Sequence, residues 1–201
     1  MRGVEQIPWL YDLLIRLFPG LARWRAELMR QARGRVLEVG CGTGLGLKEL
    51  ARHADRVWGI DPAADSLRRA RRRVPGAGLA VAGAEHLPFA DGSFDCVVSS
   101  LVFCSVGDPE RGLAEIRRVL AADGYLLMFE HVQARNRPMA ALLNALQPAW
   151  TTVTGGCRPN RQTEQIVEQA GFFIDPSSYR SSGLMRQFKA TPRVGQSMPQ
   201  P

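Results

Sequence analysis

A chain of 201 residues with 45% apolar and 22% charged positions has an ordinary globular composition. It is long enough for one well-buried core, which excludes a fibrous or disordered polypeptide. The formal net charge of +7 rests on arginine, with Lys48 and Lys189 the only lysines; a solvated basic surface explains it more simply than an anionic partner, so no nucleic-acid partner is expected. Cys41, Cys96, Cys104 and Cys157 form no C-x-x-C pair and no zinc spacing, and only His53, His86 and His131 accompany them. A reduced, cytoplasmic setting without a metal is expected.

No secretory signal opens the chain. Leu10, Leu13, Leu14, Leu17, Leu21, Trp24 and Leu28 recur at helical spacing, and Asp12, Arg16 and Pro19 interrupt the run before the roughly 18–20 apolar residues of a membrane span. Residues 1–33 therefore read as an amphipathic helical lid, with peripheral membrane contact as the second reading. RVLEV (35–39) reads as a buried strand, followed by a glycine loop and a helix over 45–53. RVWGI (56–60) is a second strand ending at Asp61, then come a helix over 64–73 and a strand over 78–82. The arginines within 68–73 read as a solvated helix end, where cations suit the dipole. FDCVVSS (94–100) is the fourth strand. Asp108 before Pro109 starts a helix that runs to Leu120, and GYLLMFEHV (124–132) is the fifth strand. This alternation predicts an α/β domain over 34–190, a parallel sheet with helices on both faces, and a flexible tail over 191–201.

The loop EVGCGTGLG (38–46) asks which ligand approaches its backbone. Leu45 and Gly46 stand where a P-loop requires lysine and a hydroxyl residue, which excludes a nucleoside triphosphate. The spacing G-x-G-x-G-x-G departs from the dinucleotide fingerprint, and Glu38 is awkward beside a pyrophosphate but suits a ligand ammonium. Its other reading is a buried carboxylate satisfied by loop amides. Asp61 is placed to take the ribose hydroxyls of an adenosine, or else to cap the helix that follows Pro62.

VLEVGCGTG, GIDP, GAEHLPFADGSFDCVV and EIRRVLAADGYLLMFEH, in that order from Val36 to His131, together resemble the class I S-adenosylmethionine (SAM)-dependent methyltransferases. The resemblance implies a Rossmann-like, mostly parallel seven-stranded sheet, with SAM as cofactor and S-adenosylhomocysteine as product. It also implies that Gly40, Cys41, Gly42 and Gly44 line the methionine and ribose moieties. Glu38 would act through loop amides and the ammonium, and Asp61, beside Pro62, would hold the ribose. Ala84 and Glu85 would meet the adenine edge, and Ser100 and Leu101 would lie under the methionine part. Many relatives carry an acid where this chain has Gly83, which shifts adenine recognition to Glu85 or to backbone.

SSLVFCSVGDPERGL, FEHV and PAWTTVTGGCRPNR more narrowly resemble the alkyl-thiol S-methyltransferases and their bacterial relatives. The likeness implies transfer to a small, apolar acceptor, thiol sulfur preferred. His131 is then a base or substrate orienter, with a structural histidine as the other reading. Cys104 and Cys157 would line the acceptor pocket or act as small hydrophobes, and Trp150 would wall it or pack in the core. Phospholipid-amine, quinone or natural-product methylation, and a non-catalytic SAM-binding partner protein, are the alternatives.

Overall fold

Strands buried on both faces need apolar residues at successive positions rather than alternate ones, and this chain has five such runs. In the computed structural model, which describes residues 19–134, 136–154, 156–158 and 160–193, they form β1 (Arg35–Val39), β2 (Arg56–Asp61), β3 (Gly78–Val81), β4 (Phe94–Ser100) and β5 (Leu120–His131). They pair in parallel in the order β3-β2-β1-β4-β5. Their side chains alternate between two cores: Leu37 and Val97 pack on one face with Ile116 and Phe172, while Val36 and Val98 pack on the other with Leu47 and Phe129.

The helices are α1 (Pro19–Met29), α2 (Leu45–Leu50), α3 (Ala64–Arg73), α4 (Pro109–Val119), α5 (Arg137–Thr154) and α6 (Thr163–Gln169). Asp108 caps α4 as expected, its side chain accepting from the Arg111 amide at 3.0 Å with Pro109 in the first turn. Helix α1 seats Leu28 and Met29 in the core and sets Trp24 edge-on to Phe129, ring centroids 5.5 Å apart. Of the apolar stripe read in the opening sequence, Leu10, Leu13, Leu14, Leu17 and the side chain of Leu21 lie outside the described residues. Among the described residues no helix is long and apolar enough to cross a membrane.

The C-terminal part departs from expectation. β8 (Met185–Pro192) inserts antiparallel between β5 and β6 (Phe172–Ile174), and the short β7 (Arg180–Ser182) pairs with β8 as an eighth strand among the described residues beside the expected seven. β7 is three exposed residues turned back at Gly183, too short and polar to announce itself by pattern. Thr191 and Pro192, read as the start of a loose tail, belong to β8, and the Arg193 amide donates to the Gly171 carbonyl at 2.8 Å. Residues 194–201 lie outside the description. β5 also starts earlier than expected, because Leu120 pairs with Phe94 before a shift in register toward Cys96.

Arg68 of the cluster pairs with Asp65 on its own helix, and Arg73 reaches further. Arg73 donates to the Thr43 carbonyl at 2.6 Å and to its hydroxyl at 2.8 Å, tying the end of α3 to the glycine loop.

Candidate active site

In an open parallel sheet, ligands bind beyond the carboxyl ends of the strands, where the strand order reverses. Here that point lies between β1 and β4, and a cavity of about 760 Å³ opens there. Its two halves are built from different parts of the chain.

The first half is the glycine loop and the tip of β2. Gly40, Cys41 and Gly42 line the cavity with Asp61 and Pro62. One Asp61 oxygen accepts from the Gly42 amide at 2.9 Å and the other from the Ala63 amide at 2.8 Å, so the residue joins loop to strand and caps the next turn at once. Burial pushes the Asp61 carboxyl upward, and the Ala63 and Gly42 amides oppose it. Gly42 has φ +52°, and a Cβ there would meet no atom within 4 Å, so the loop leaves open space over its backbone.

Two residues expected in this lining stand behind it. Gly44 has φ +80°, and a Cβ there would come within 2.9 Å of the Ala70 Cα, so its lack of a side chain serves the packing of α3. Glu38 is fully buried and accepts from the Arg25 guanidinium at 3.1 Å. A Cβ at Gly46 would overlap the Glu38 carboxylate, so that glycine makes room for the acid. Arg25, which the sequence reading missed, is the member of the pair that lines the cavity. Burial pushes Glu38 up to about 7, while the charge and hydrogen bond of Arg25 pull the other way.

At the third strand the cavity is bounded by Ala82, Gly83, Ala84 and Glu85. One oxygen of the Glu85 side chain is committed elsewhere: its Oε1 accepts from the Gly107 and Asp108 amides at 3.1 and 3.3 Å.

The second half begins where β4 ends. Ser100 lines the cavity, and its buried hydroxyl has no hydrogen-bond partner among the described residues. Leu101 follows at φ +60°, the one non-glycine residue in the left-handed region among those described. Such backbone strain costs on the order of 1–3 kcal/mol and persists only where surroundings enforce it. Glu130, fully buried in β5, supplies the enforcement. It accepts from Ser99 Oγ at 2.9 Å and from the amides of Val102, Phe103 and Cys104 at 3.0, 3.1 and 3.4 Å. A single acid within the apolar run LLMFEH was the sequence signal for this clamp. Arg161 grips the same loop from the other side, donating to the carbonyls of Phe103 and Val106.

His131 and Cys104 line this half of the cavity, and Cys157 lies buried beside them. The three side chains come from separate segments, yet their sulfur and ring-nitrogen atoms all lie within 4.8 Å of one another. The two thiols share a hydrogen bond that lowers Cys157 and raises Cys104; burial pushes both up, and His131 and Trp150 add to the lowering of Cys157. Trp150 is 47% exposed on α5, which rules out the core-packing reading, and its indole reaches the Cys157 sulfur.

These features fit SAM. The bare backbone at Gly42, the Asp61 oxygens and the orphaned Ser100 hydroxyl lie along one cavity, and Arg25 places a cation at its glycine-loop end.

Comparison with known proteins agrees. The family described as Methyltransferase domain matches residues 37–128. The thiol S-methyltransferase TMT1B of Homo sapiens is 34% identical over 164 residues, covering 74% of this chain and 67% of that protein. Its Rattus norvegicus counterpart is 32% identical over 68% of this chain, which spans only 59% of that protein's length. The phosphatidylethanolamine N-methyltransferase of Cereibacter sphaeroides is 40% identical, with 68% of this chain and 70% of that protein aligned. Among solved structures, the DhpI–SAH complex superposes with a TM-score of 0.71 at 18% identity, covering 93% of this chain and 92% of that one, which bears on the fold alone. Glycine loop, the acid at the tip of β2, strand order and sequence relatives agree, and the chain belongs to the class I SAM-dependent methyltransferases.

Proposed function

We propose that this protein transfers the methyl group of SAM to a small apolar acceptor, with a thiol sulfur preferred. The observation that carries this reading is the character of the second half of the cavity, where Cys104, His131 and the nearby Cys157 make a soft, sulfur-rich wall, while the carboxylates that line the cavity, Asp61, Asp65 and Glu85, come from the β2 and β3 side. The thiol S-methyltransferase relatives support it; the phosphatidylethanolamine N-methyltransferase relative supports lipid-amine transfer, which is the second reading.

When bound, SAM supplies an electrophilic methyl on a sulfonium. The protein's part is to align the acceptor and exclude water. Gly40, Cys41 and Gly42 give close backbone approach, and Asp61 offers ribose two oxygens that each already hold one loop amide. Ser100 and the strained Leu101 lie at the junction of the two halves. An acceptor thiol must lose its proton as its sulfur bonds to the methyl, and His131 is the polar side chain at hand to orient the thiol or hold that proton.

The test is a matched panel of alkyl thiol, phenol, quinol and phospholipid-amine acceptors, followed by mass spectrometry. The expected product is a methyl thioether, formed with an equal amount of S-adenosylhomocysteine. His131→Ala is expected to lower turnover by roughly 10²-fold, the lower end of general acid–base contributions, while SAM affinity measured by calorimetry stays within about twofold. Methylation of the lipid amine alone would overturn the thiol assignment, and unchanged turnover in His131→Ala would remove that residue from the mechanism.

A further inference from the structure

We propose that Cys104, His131 and Cys157 form a three-ligand zinc site whose open fourth position faces the cavity and takes the acceptor thiolate. The inference rests on the thiol reading for its second half only; the ligand set stands by itself.

Its first support is convergence. Cys104 comes from the loop after β4, His131 from the end of β5, and Cys157 from the segment after α5, yet their donor atoms all lie within 4.8 Å of one another. Tetrahedral zinc with bonds of about 2.3 Å to sulfur and 2.0–2.1 Å to nitrogen sets its ligand atoms roughly 3.5–3.8 Å apart, so small side-chain rotations close the site.

The second support is that each ligand's backbone is fixed from outside the cluster. The Cys104 amide donates to Glu130, and the Cys104 carbonyl accepts from the Arg158 amide at 2.8 Å. Thr151 Oγ1 donates to the Cys157 carbonyl at 3.0 Å, and the Gly156 amide donates to the Thr151 carbonyl at 3.0 Å. His131 is paired in the sheet with Met185. Three soft donors held this way are a preorganised set rather than a chance encounter of surface groups.

The third support is topology of access. Cys104 and His131 line the cavity, while Cys157 is buried and outside its lining. A metal held between them is closed on the protein side and open on the cavity side, the arrangement of catalytic rather than structural zinc. Two sulfurs and an imidazole select zinc over magnesium or calcium, which require oxygen.

The chemistry balances without an added reagent. The acceptor thiol displaces water from the fourth position and releases its proton to solvent, so its sulfur is held as a thiolate. One S–C bond then forms between that sulfur and the transferred methyl, and the sulfonium S–C bond breaks to leave the neutral thioether of S-adenosylhomocysteine. The product thioether is a weaker ligand than a thiolate and departs. His131 then orients the thiol through the metal as one of its ligands and takes no part in holding the proton.

Cobalt(II) is the probe. The reduced full-length protein, titrated anaerobically, is expected to bind one equivalent and to show thiolate-to-cobalt charge transfer together with the intense visible bands of a tetrahedral site. Cys104→Ser and Cys157→Ser should each remove part of the charge-transfer intensity and weaken zinc binding roughly a hundredfold or more, at least the upper end of what outer-shell losses cost. SAM affinity in both variants, measured by calorimetry, reports that the fold is intact. Adding an alkyl thiol to the cobalt form should increase the charge transfer as a third sulfur enters. Absence of the tetrahedral spectrum, or full thiol methylation by chelator-treated protein, would overturn the site while leaving the thiol reading standing. A tetrahedral spectrum unchanged by thiol would overturn the fourth-position assignment, and the acceptor panel decides the thiol reading separately.

Discussion

Glu130→Ala is expected to destabilise the protein by about 4 kcal/mol and to cost acceptor binding more than SAM binding. The carboxylate is fully buried and accepts one hydroxyl and three amides, so its removal leaves four donors without that partner, those of Ser99, Phe103 and Cys104 buried and that of Val102 half-buried. Each such orphan costs about 1–3 kcal/mol, and partial relaxation of the loop keeps the total below the sum. Glu130→Gln retains one acceptor oxygen but turns an NH2 toward donors, and about 2 kcal/mol is expected for it. Urea unfolding measures both. The clamp holds Val102 to Cys104, on the acceptor side, whereas Gly42 and Asp61 bond to each other independently of it. KM for the acceptor should therefore rise at least roughly tenfold more than the Kd for SAM, since 1.4 kcal/mol of displaced loop geometry is tenfold in binding. Equal changes in the two constants would reduce Glu130 to a general stability element.

Arg25→Met is expected to cost about 3 kcal/mol at pH 8 and much less at pH 5.5. Removing one member of a buried pair leaves an uncompensated charge, the costly case among ion-pair changes, unless that charge is neutralised by a proton. Glu38 can take one, because burial raises its carboxyl to about 7 even with Arg25 beside it. The folded-state value lies above that of the unfolded chain, so Glu38 contributes stability fully present below about 4.5 and lost as pH rises through 7. In Arg25→Met the proton is held to still higher pH, and the variant's deficit grows as conditions become more alkaline. Glu38→Gln abolishes this slope and leaves Arg25 without its anion at every pH. The double variant Arg25→Met/Glu38→Gln is expected to recover more than half of the loss, and Tm against pH for the four proteins decides the matter. A deficit in Arg25→Met that is the same at pH 5.5 and pH 8 would show that Glu38 does not titrate there.

Much of the frame is legible in the sequence because it depends on local patterns. Five apolar runs of strand length, each closed by a glycine, an acid or a serine, give the parallel core. Asp108-Pro109 gives the start of α4, and the glycine loop with Asp61 gives the cofactor half of the cavity. Pairings between distant segments are not legible. Nothing in RVLEV says that Glu38 will meet Arg25 from the preceding helix instead of a ligand, although the glycine at 46 was the visible consequence. Nothing near Glu85 in sequence says that one of its oxygens will take the amides of Gly107 and Asp108 from beyond β4. The expectation of no metal rested on spacing rules, which detect ligands close together in sequence. Those rules are blind to Cys104, His131 and Cys157, which only the sheet and α5 bring together. β7 is not legible because it has no pattern to detect.

The two halves of the cavity also differ in when they can form. The Gly42–Asp61 bond closes over 19 residues and the Arg73–Thr43 bond over 30, whereas Arg161 reaches Val106 and Phe103 across 55 and 58. Longer closures are entropically dearer and delay assembly. A chain emerging from the ribosome therefore has the segments that build the glycine-loop half in hand well before Arg161, which grips the loop after β4, has been synthesised. In pulse-labelled hydrogen exchange during refolding, the amides of Gly42 and Ala63 should gain protection before that of Arg158, which bonds the Cys104 carbonyl, and simultaneous protection would show that the cavity assembles as a single cooperative unit.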